Sequence, residues 1–373
     1  MSTSAVTIVT TDDEKKKFIE FQYQHYENDE HFVPPLRMDQ KKLIDTKKNP
    51  YYNNAEVALF IAEHEGKIAG RISAVVDHRF NEYHNSKTGH FGFFECIDHQ
   101  PTADLLLRVA EDWLRDKGME DVLGPASPGM MDMIGFLVEG FDKDPYVMMP
   151  YTKPYYEKLV LAAGYKQDMD LLAYIVDQDI VSKDRMDRAK EIVLKRNPGM
   201  TIRSVNLKKI KEEVEIVRHI YNEAWKDNWG FLPLTKEELA ATADDFKLIL
   251  DPDIAHIVEV NGSPVAFSIS LPDLNQIFKK MNGNLFPFGI FRLLFGRKKI
   301  DRIRTALMGV LPEYQGKGID ALLNQRTIEQ GKNKGYSGSE LSWVLGDNQD
   351  MIRVAERIGA KIDKKYRMFK KKL

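Results

Sequence analysis

The chain has 373 residues, 43% hydrophobic and 29% charged, a soluble balance with apolar material for roughly two to three domains. Lys and Arg (54) nearly balance Asp and Glu (56), and the formal net charge of −2 excludes the basic excess of a nucleic-acid-binding protein. One cysteine, Cys96, excludes an intramolecular disulfide and any cysteine-cluster metal site; no metal is expected. The opening MSTSAVTIVTTDDEKKKF has no apolar signal core, and no apolar run reaches the ~18–20 residues of a bilayer span; a cytoplasmic protein is expected.

In chain order, Val57–Glu65 and Lys67–Val76 read as a hairpin turning at Gly66. An apolar strand, His90–Ile97, leads into an amphipathic helix, Thr102–Lys117, ended by Gly118. A short strand (Asp121–Leu123), the loop Gly124–Pro150, a helix closing on Gly164 and a strand (Leu171–Val176) complete the first half. The second half repeats this order. Helix Leu207–Ala224 precedes a hairpin, His256–Val260 and Ser263–Leu271, turning at Asn261-Gly262. After an insertion, Asp273–Ile300, come strand Thr305–Leu311, helix Ile319–Lys334 with Gly335, strand Ser339–Val344, a helix closing on Gly359 and strand Tyr366–Phe369. Gly66 to Gly262 and Gly164 to Gly359 are nearly the same distance apart along the chain, which supports a duplication. The expectation is two tandem domains, 1–180 and 181–373, of α/β (α+β) class. Each has a mixed, mostly antiparallel sheet, because hairpin strands are antiparallel and a strand–helix–strand passage gives parallel pairing.

The sharpest local feature is Val310-Leu311-Pro312-Glu313-Tyr314-Gln315-Gly316-Lys317-Gly318-Ile319-Asp320. A strand stops at proline, a Gly-containing turn follows, and a helix begins at once. Glycines with positive φ let backbone N–H groups converge, and the helix adds its own unpaired amides and positive dipole end. That combination makes an anion pocket suited to a diphosphate. No Lys-Ser/Thr pair follows the glycines, as in a P-loop, and there is no three-glycine dinucleotide fingerprint. A Gly-rich turn that binds nothing is the competing reading. The first half has Glu95-Cys96-Ile97-Asp98-His99-Gln100-Pro101-Thr102 at the equivalent junction, without glycine and with Asp98 where phosphate would sit. Thr102 is expected to cap the helix there, and His99 to be a solvated loop residue.

Strand, Gln-Gly-x-Gly and helix resemble the acyl-CoA loop of the GNAT N-acetyltransferase superfamily, whose pattern is Gln/Arg-x-x-Gly-x-Gly/Ala. Gln315 and Gly318 match its fixed positions, Gly316, Lys317 and Ile319 fill free ones, and Asp320 stands where Gly or Ala is usual. Asn348, opening the helix that ends at Gly359, also matches. The chain as a whole resembles tandem-GNAT proteins, with a degenerate first domain. The resemblance implies an N-acyltransferase using acetyl-CoA or another acyl-CoA, with a small-molecule or peptide amine attacking the thioester directly. It implies cofactor contacts from Met308, Val310, Gln315 through Asp320, and Asn348, the carbonyl oxygen being held by backbone N–H groups of Met308–Val310. The family's thiolate-protonating Tyr would fall at Ala355, where it is missing; Tyr366, on the closing strand, and Tyr314, beside the loop, are candidate substitutes, against the alternative that each is a half-buried packing residue. Glu340 is either a proton relay or a solvent-facing residue. Asn228, Trp229 and Phe231 are placed by the resemblance over the acceptor, against the alternative that Trp225 and Trp229 only pack helices. A catalytically silent CoA- or lipid-binding sensor is the rival function.

The Phe-rich stretch Leu285–Phe295 is expected to pack between the domains rather than line an acyl or lipid-like acceptor channel or touch a membrane, although Arg297, Lys298 and Lys299 adjoin it. The basic end, Lys364–Lys372, reads as solvated. Oligomeric state is open.

Overall fold

A computed structural model describes residues 4–177, 183–239, 247 and 249–373. The chain divides into two units. Unit 1 comprises Met1–Leu171, Phe278–Arg292 and Lys364–Leu373; unit 2 comprises Leu172–Ile277 and Leu293–Asp363. The division expected between residues 180 and 181 falls outside the described residues.

In unit 1, β1 (Ser4–Ile8) leads to α1 (Asp12–His25), which opens on a complete capping box between Thr11 and Glu14. After α2 (Arg37–Leu43), strands β2 (Ala55–His64) and β3 (Lys67–Asp77) form the expected hairpin. Glu65 (φ 53°) and Gly66 (φ 76°) both take the left-handed conformation that a tight two-residue turn needs. Then come α3 (His78–His84), β4 (Thr88–Cys96), α4 (Gln100–Asp116), β5 (Asp121–Gly124), a small hairpin β6 (Ala126–Ser127) and β7 (Met133–Ile134), β8 (Phe136–Glu139), and α5 (Tyr156–Ala162). The sheet order is β1-β2-β3-β4-β5, antiparallel throughout except for the parallel β4–β5 pair. α4 buries Ala103, Leu106, Leu107, Ala110 and Leu114, the helical-period face, against Ile72, Ala74, Val76, Phe91 and Phe94. Each fully buried Leu of this face contributes about 1.5–3 kcal/mol.

The closing strand of unit 1 comes from the far end of the chain. The long strand β15 (Lys361–Lys372) pairs antiparallel with β5, Phe369 opposite Gly124, and with β8, Tyr366 opposite Leu137. The same exchange applies to β9 (Lys166–Asp177), whose residues from Leu172 onward belong to unit 2. Both strands exist where the sequence places them, but each closes the other half. Lys364–Lys372 is therefore largely strand, with Lys364, Tyr366, Met368 and Phe369 fully buried, not the solvated tail expected.

Unit 2 repeats the topology. After α6 (Lys183–Arg196), strands β10 (Met200–Ser204), β11 (Ala255–Val260), β12 (Ser263–Pro272) and β13 (Arg302–Val310) pair antiparallel in that order. β14 (Gly338–Leu345) joins β13 in parallel, and β9 lies beyond it. α7 (Ile210–Trp225) precedes β11; α8 (Gly289–Gly296) lies in the insertion; α9 (Ile319–Asn333) links β13 to β14, and α10 (Gln349–Arg357) follows. Gly335 (φ 87°) and Gly359 (φ 84°) end these last two helices in the left-handed conformation, as Gly118 (φ 78°) and Gly164 (φ 91°) do in unit 1.

Candidate active site

The site of unit 2 starts from a mismatch between two parallel strands. Pairing of β13 with β14 runs from Arg302 opposite Gly338 to Thr305 opposite Leu341 and stops there, while β13 continues to Val310 and β14 to Leu345. A bulge in the β12–β13 pairing, between Ile269 and Ser270, accompanies the divergence. The N–H of Leu311 donates to Val265 O on the β12 side. By strand alternation, Met308 and Val310 turn their backbone groups the other way, into the notch left by the departing β14. Two side chains confirm the direction: Trp225 Nε1 donates to Met308 O (3.0 Å), and Gln315 Nε2 donates to Val310 O (3.1 Å).

The Gly-rich turn sits at the end of this strand. Gly316 (φ 72°) and Gly318 (φ 81°) are both left-handed, and Gly318 is the N-cap of α9 with no side-chain cap. The Gln315 N–H is used by Pro312 O and the Leu322 N–H by Gly318 O, but the intervening amides, Gly316 through Ala321, donate to no protein group among the described residues. A run of unpaired N–H groups at an uncapped helix start is an anion cradle. Asp320 makes no hydrogen bond or ion pair among the described residues, so its carboxylate does not plug the turn. Lys317 Nζ lies 4.5 Å from the Tyr314 ring centroid, which occupies Tyr314 as a cation–π partner. The glycine at 318 has a second reason: a Cβ there would come within 2.7 Å of Val193 Cγ2 on α6. A Cβ at 316 would meet nothing within 4 Å.

Below the divergence lies a buried polar cluster that the sequence did not reveal. Glu340 is completely buried, so it is not the solvent-facing residue that was one of its two expected roles. Ser342 Oγ donates to Glu340 Oε1 (2.6 Å), Arg304 Nε donates to Ser342 Oγ (2.9 Å), and Arg304 Nε stands 3.8 Å from Glu340 Oε1. The register, Arg304 opposite Glu340, puts cation and anion on neighbouring strands one rung before the notch. Tyr366 is wholly buried in the core of unit 1, beside Gly135. Ala355 is buried with Tyr174, Val176 and Val344, a site with no room for a tyrosine ring without repacking. Asn348 caps α10, its Oδ1 accepting from the Met351 N–H (3.1 Å). Of the acceptor candidates, Phe231 is buried against Tyr221 (centroids 5.5 Å apart), so it is core, whereas Asn228 and Trp229 are half-buried on the turn after α7. The capping box of Thr235 and Glu238 forms as its spacing suggests.

Unit 1 has the same divergence and closes it with its own chain. β4–β5 pairing ends at His90 opposite Leu123. Ser127 Oγ then accepts from the Phe93 N–H (2.8 Å), and a Cβ on Gly92 would strike Ala126 O at 1.8 Å. α4 begins at Gln100, with His99 as its N-cap and Pro101 in its first turn, which removes one donor. Thr102 is inside the helix, fully buried and hydrogen-bonded to His99 (2.9 Å), so neither is in the expected role. The His99 ring also packs on His64, 4.4 Å between centroids.

Residues 214–360 match the acetyltransferase (GNAT) family. Over 366 residues the chain is 35% identical to protein YghO of Escherichia coli K12, covering 96% of this chain and 93% of that one. Over 378 residues it is 32% identical to a bacterial ceramide synthase of Caulobacter vibrioides, covering 99% and 97%. The chain belongs to the GNAT family. A tandem GNAT protein from the clavulanic acid biosynthesis pathway superposes on 99% of the chain, and on 98% of its own, with a TM-score of 0.57 at 10% identity, a likeness of fold. The GNAT fold carries acyl-CoA as its general co-substrate, and the open cradle and notch of unit 2 fit that class: amides for a diphosphate, then a strand edge for a thioester carbonyl.

Proposed function

We propose that this GNAT protein is an acyl-CoA-dependent N-acyltransferase working through unit 2, with a fatty acyl donor and a long-chain amino alcohol of the sphingoid class as acceptor. The unpaired amides from Gly316 to Ala321, set directly beyond the notch, carry the donor half of this reading. The acceptor class rests on full-length similarity to a bacterial ceramide synthase. The diphosphate of the donor would be held by the Gly316–Ala321 amides and Lys317. The Met308 and Val310 N–H groups would donate to the thioester oxygen as negative charge develops on it. The amine nitrogen attacks the carbonyl carbon, the C–N bond forms, the C–S bond breaks, and the proton lost by the amine ends on the thiol. Ser342 and Glu340 supply a hydroxyl–carboxylate pair next to the divergence through which that proton can leave. Asn228 and Trp229 are assigned to the acceptor side; Phe231 supports them from the core.

The test is thiol release and amide formation, followed by a sulfhydryl reagent and mass spectrometry, with acyl-CoAs of graded length against sphinganine and a panel of small amines. Amide product with sphinganine and a long-chain donor supports the proposal; thiol release confined to small amines and acetyl-CoA overturns the acceptor class. Ala355, in place of the family's tyrosine, favours a second reading, a CoA-binding protein without turnover. Tight CoA binding with no product from any amine would select it.

A further inference from the structure

Between Asp273 and Asp301 the sequence has no acidic residue and six basic ones: Lys279, Lys280, Arg292, Arg297, Lys298 and Lys299. Within this run, Phe286, Phe288, Phe291, Leu294 and Phe295 are 57–74% exposed, so the expectation that this stretch is buried by packing is not met. Four of the five lie within or one residue from α8, whose only polar side chain is Arg292. A helix apolar around its whole circumference is normally buried in protein or lipid. Here cations sit on and beside the helix: Arg292 within it, Lys280 before it, and Lys298 and Lys299 in the short helical turn that follows are all exposed. Arg292 bonds back to Lys280 O, and Arg297 to Ile249 O (3.3 Å), which ties the helix to its surroundings at both ends.

We propose that the segment from Leu285 to Lys299 is a membrane-surface dock for anionic phospholipid, lying in the plane of the interface with its phenylalanines among the acyl chains and its cations at the phosphates. Three features select lipid over a second copy of this chain. The phenylalanines project from a single short helix and the turn before it, a shape that inserts to interfacial depth. The cations beside them complement an anionic headgroup layer, each contributing about fivefold to partitioning. In a two-fold dimer on this face, the same cations would confront one another, with no carboxylate in the segment to meet them. No described helix is long and apolar enough to cross a membrane, so the dock is peripheral.

This inference needs no acyl donor and stands apart from the reading of unit 2. The experiment is flotation of the full-length protein with vesicles of phosphatidylcholine alone and of phosphatidylcholine with phosphatidylglycerol, at low and high salt, without CoA. Expected is co-flotation with the anionic vesicles only, weakened by salt. Phe288→Ser with Phe291→Ser and Phe295→Ser should cut partitioning at least about tenfold, and Lys298→Glu with Lys299→Glu by at least about tenfold. Because all these side chains are exposed, the variants should keep the parent circular dichroism spectrum and thermal midpoint. Absence of co-flotation, or flotation unchanged by both variants, overturns the proposal. Loss of a dimer in light scattering by the Phe variant, without vesicle binding by the parent, assigns the face to self-association and equally overturns it.

Discussion

Replacing Gly316 by Asp and by Ala separates charge from backbone in the cradle. Position 316 has φ 72°, and a Cβ there meets nothing within 4 Å, so Gly316→Ala introduces only left-handed strain of about 1–2 kcal/mol. Asp tolerates that conformation at least as well as Ala. Any further loss of CoA affinity in Gly316→Asp is therefore electrostatic. At about 5 Å from one phosphate charge, a carboxylate repels by about 0.8 kcal/mol in water and about 3 kcal/mol at an effective dielectric of ~20. The turn is exposed, which places the effect toward the lower figure, a factor of about five to tenfold in Kd relative to Gly316→Ala, shrinking with added salt. Isothermal titration of CoA itself into the three proteins measures this without choosing an acyl chain. A Gly316→Asp protein that binds CoA within twofold of Gly316→Ala at low salt would show that these amides do not face the diphosphate.

Gly318→Ala should destabilise unit 2 by about 1–3 kcal/mol more than Gly316→Ala in urea unfolding, because only at 318 does the new Cβ meet Val193, at 2.7 Å; equal losses would deny that contact. Trp225→Phe removes the donor to Met308 O and leaves that carbonyl to water, at about 1 kcal/mol, with kcat falling more than KM rises if the strand edge shifts; an unchanged kcat would detach Trp225 from the notch. His90 is fully buried, neither ring nitrogen is hydrogen-bonded among the described residues, and burial pushes its pKa from 6.5 down to about 4. The folded state thus binds fewer protons than the unfolded one, so stability is complete above pH 6.5 and is lost as pH falls from there toward 4. His90→Leu should flatten that decline in thermal midpoint while leaving or raising stability near neutrality; an identical acid profile would place the loss elsewhere.

Local signals in this sequence were strong where a backbone conformation demands a residue type. Gly66, Gly118, Gly164, Gly262, Gly335 and Gly359 all take positive φ at the turns and helix ends they mark. Gly316 and Gly318 do the same in the loop, so the cradle is legible from the sequence with its elements in order. What the sequence could not carry is pairing partners. Tyr366–Phe369 has the pattern of a closing strand whichever unit it closes, and only the register with Gly124 and Leu137 assigns it to unit 1. Glu340 fails in the same way: alternation puts it on a face, but not opposite Arg304 on the neighbouring strand. Phe231 reads like an exposed aromatic in a loop until Tyr221 is seen against it.

The two units also treat the same strand edge differently. Both contain the parallel pair whose strands separate after a few rungs, so both create a strand edge with backbone donors turned away from the antiparallel neighbour. Such an edge has to be satisfied by protein, water or ligand. In unit 1 the chain supplies protein: Ser127 takes the Phe93 N–H, and the Ala126 carbonyl presses onto Gly92 so closely that no side chain could stand there. The helix that follows loses a donor to Pro101 and has Asp98 beside its start. In unit 2, Trp225 and Gln315 use the carbonyls at Met308 and Val310, and the N–H groups of the Gly-rich turn donate to no protein group among the described residues. On the proposed reading, the same topology gives a self-sealed copy and a copy open to ligand, and the visible differences at that edge are a two-residue strand, Ala126–Ser127, and two glycines, Gly316 and Gly318.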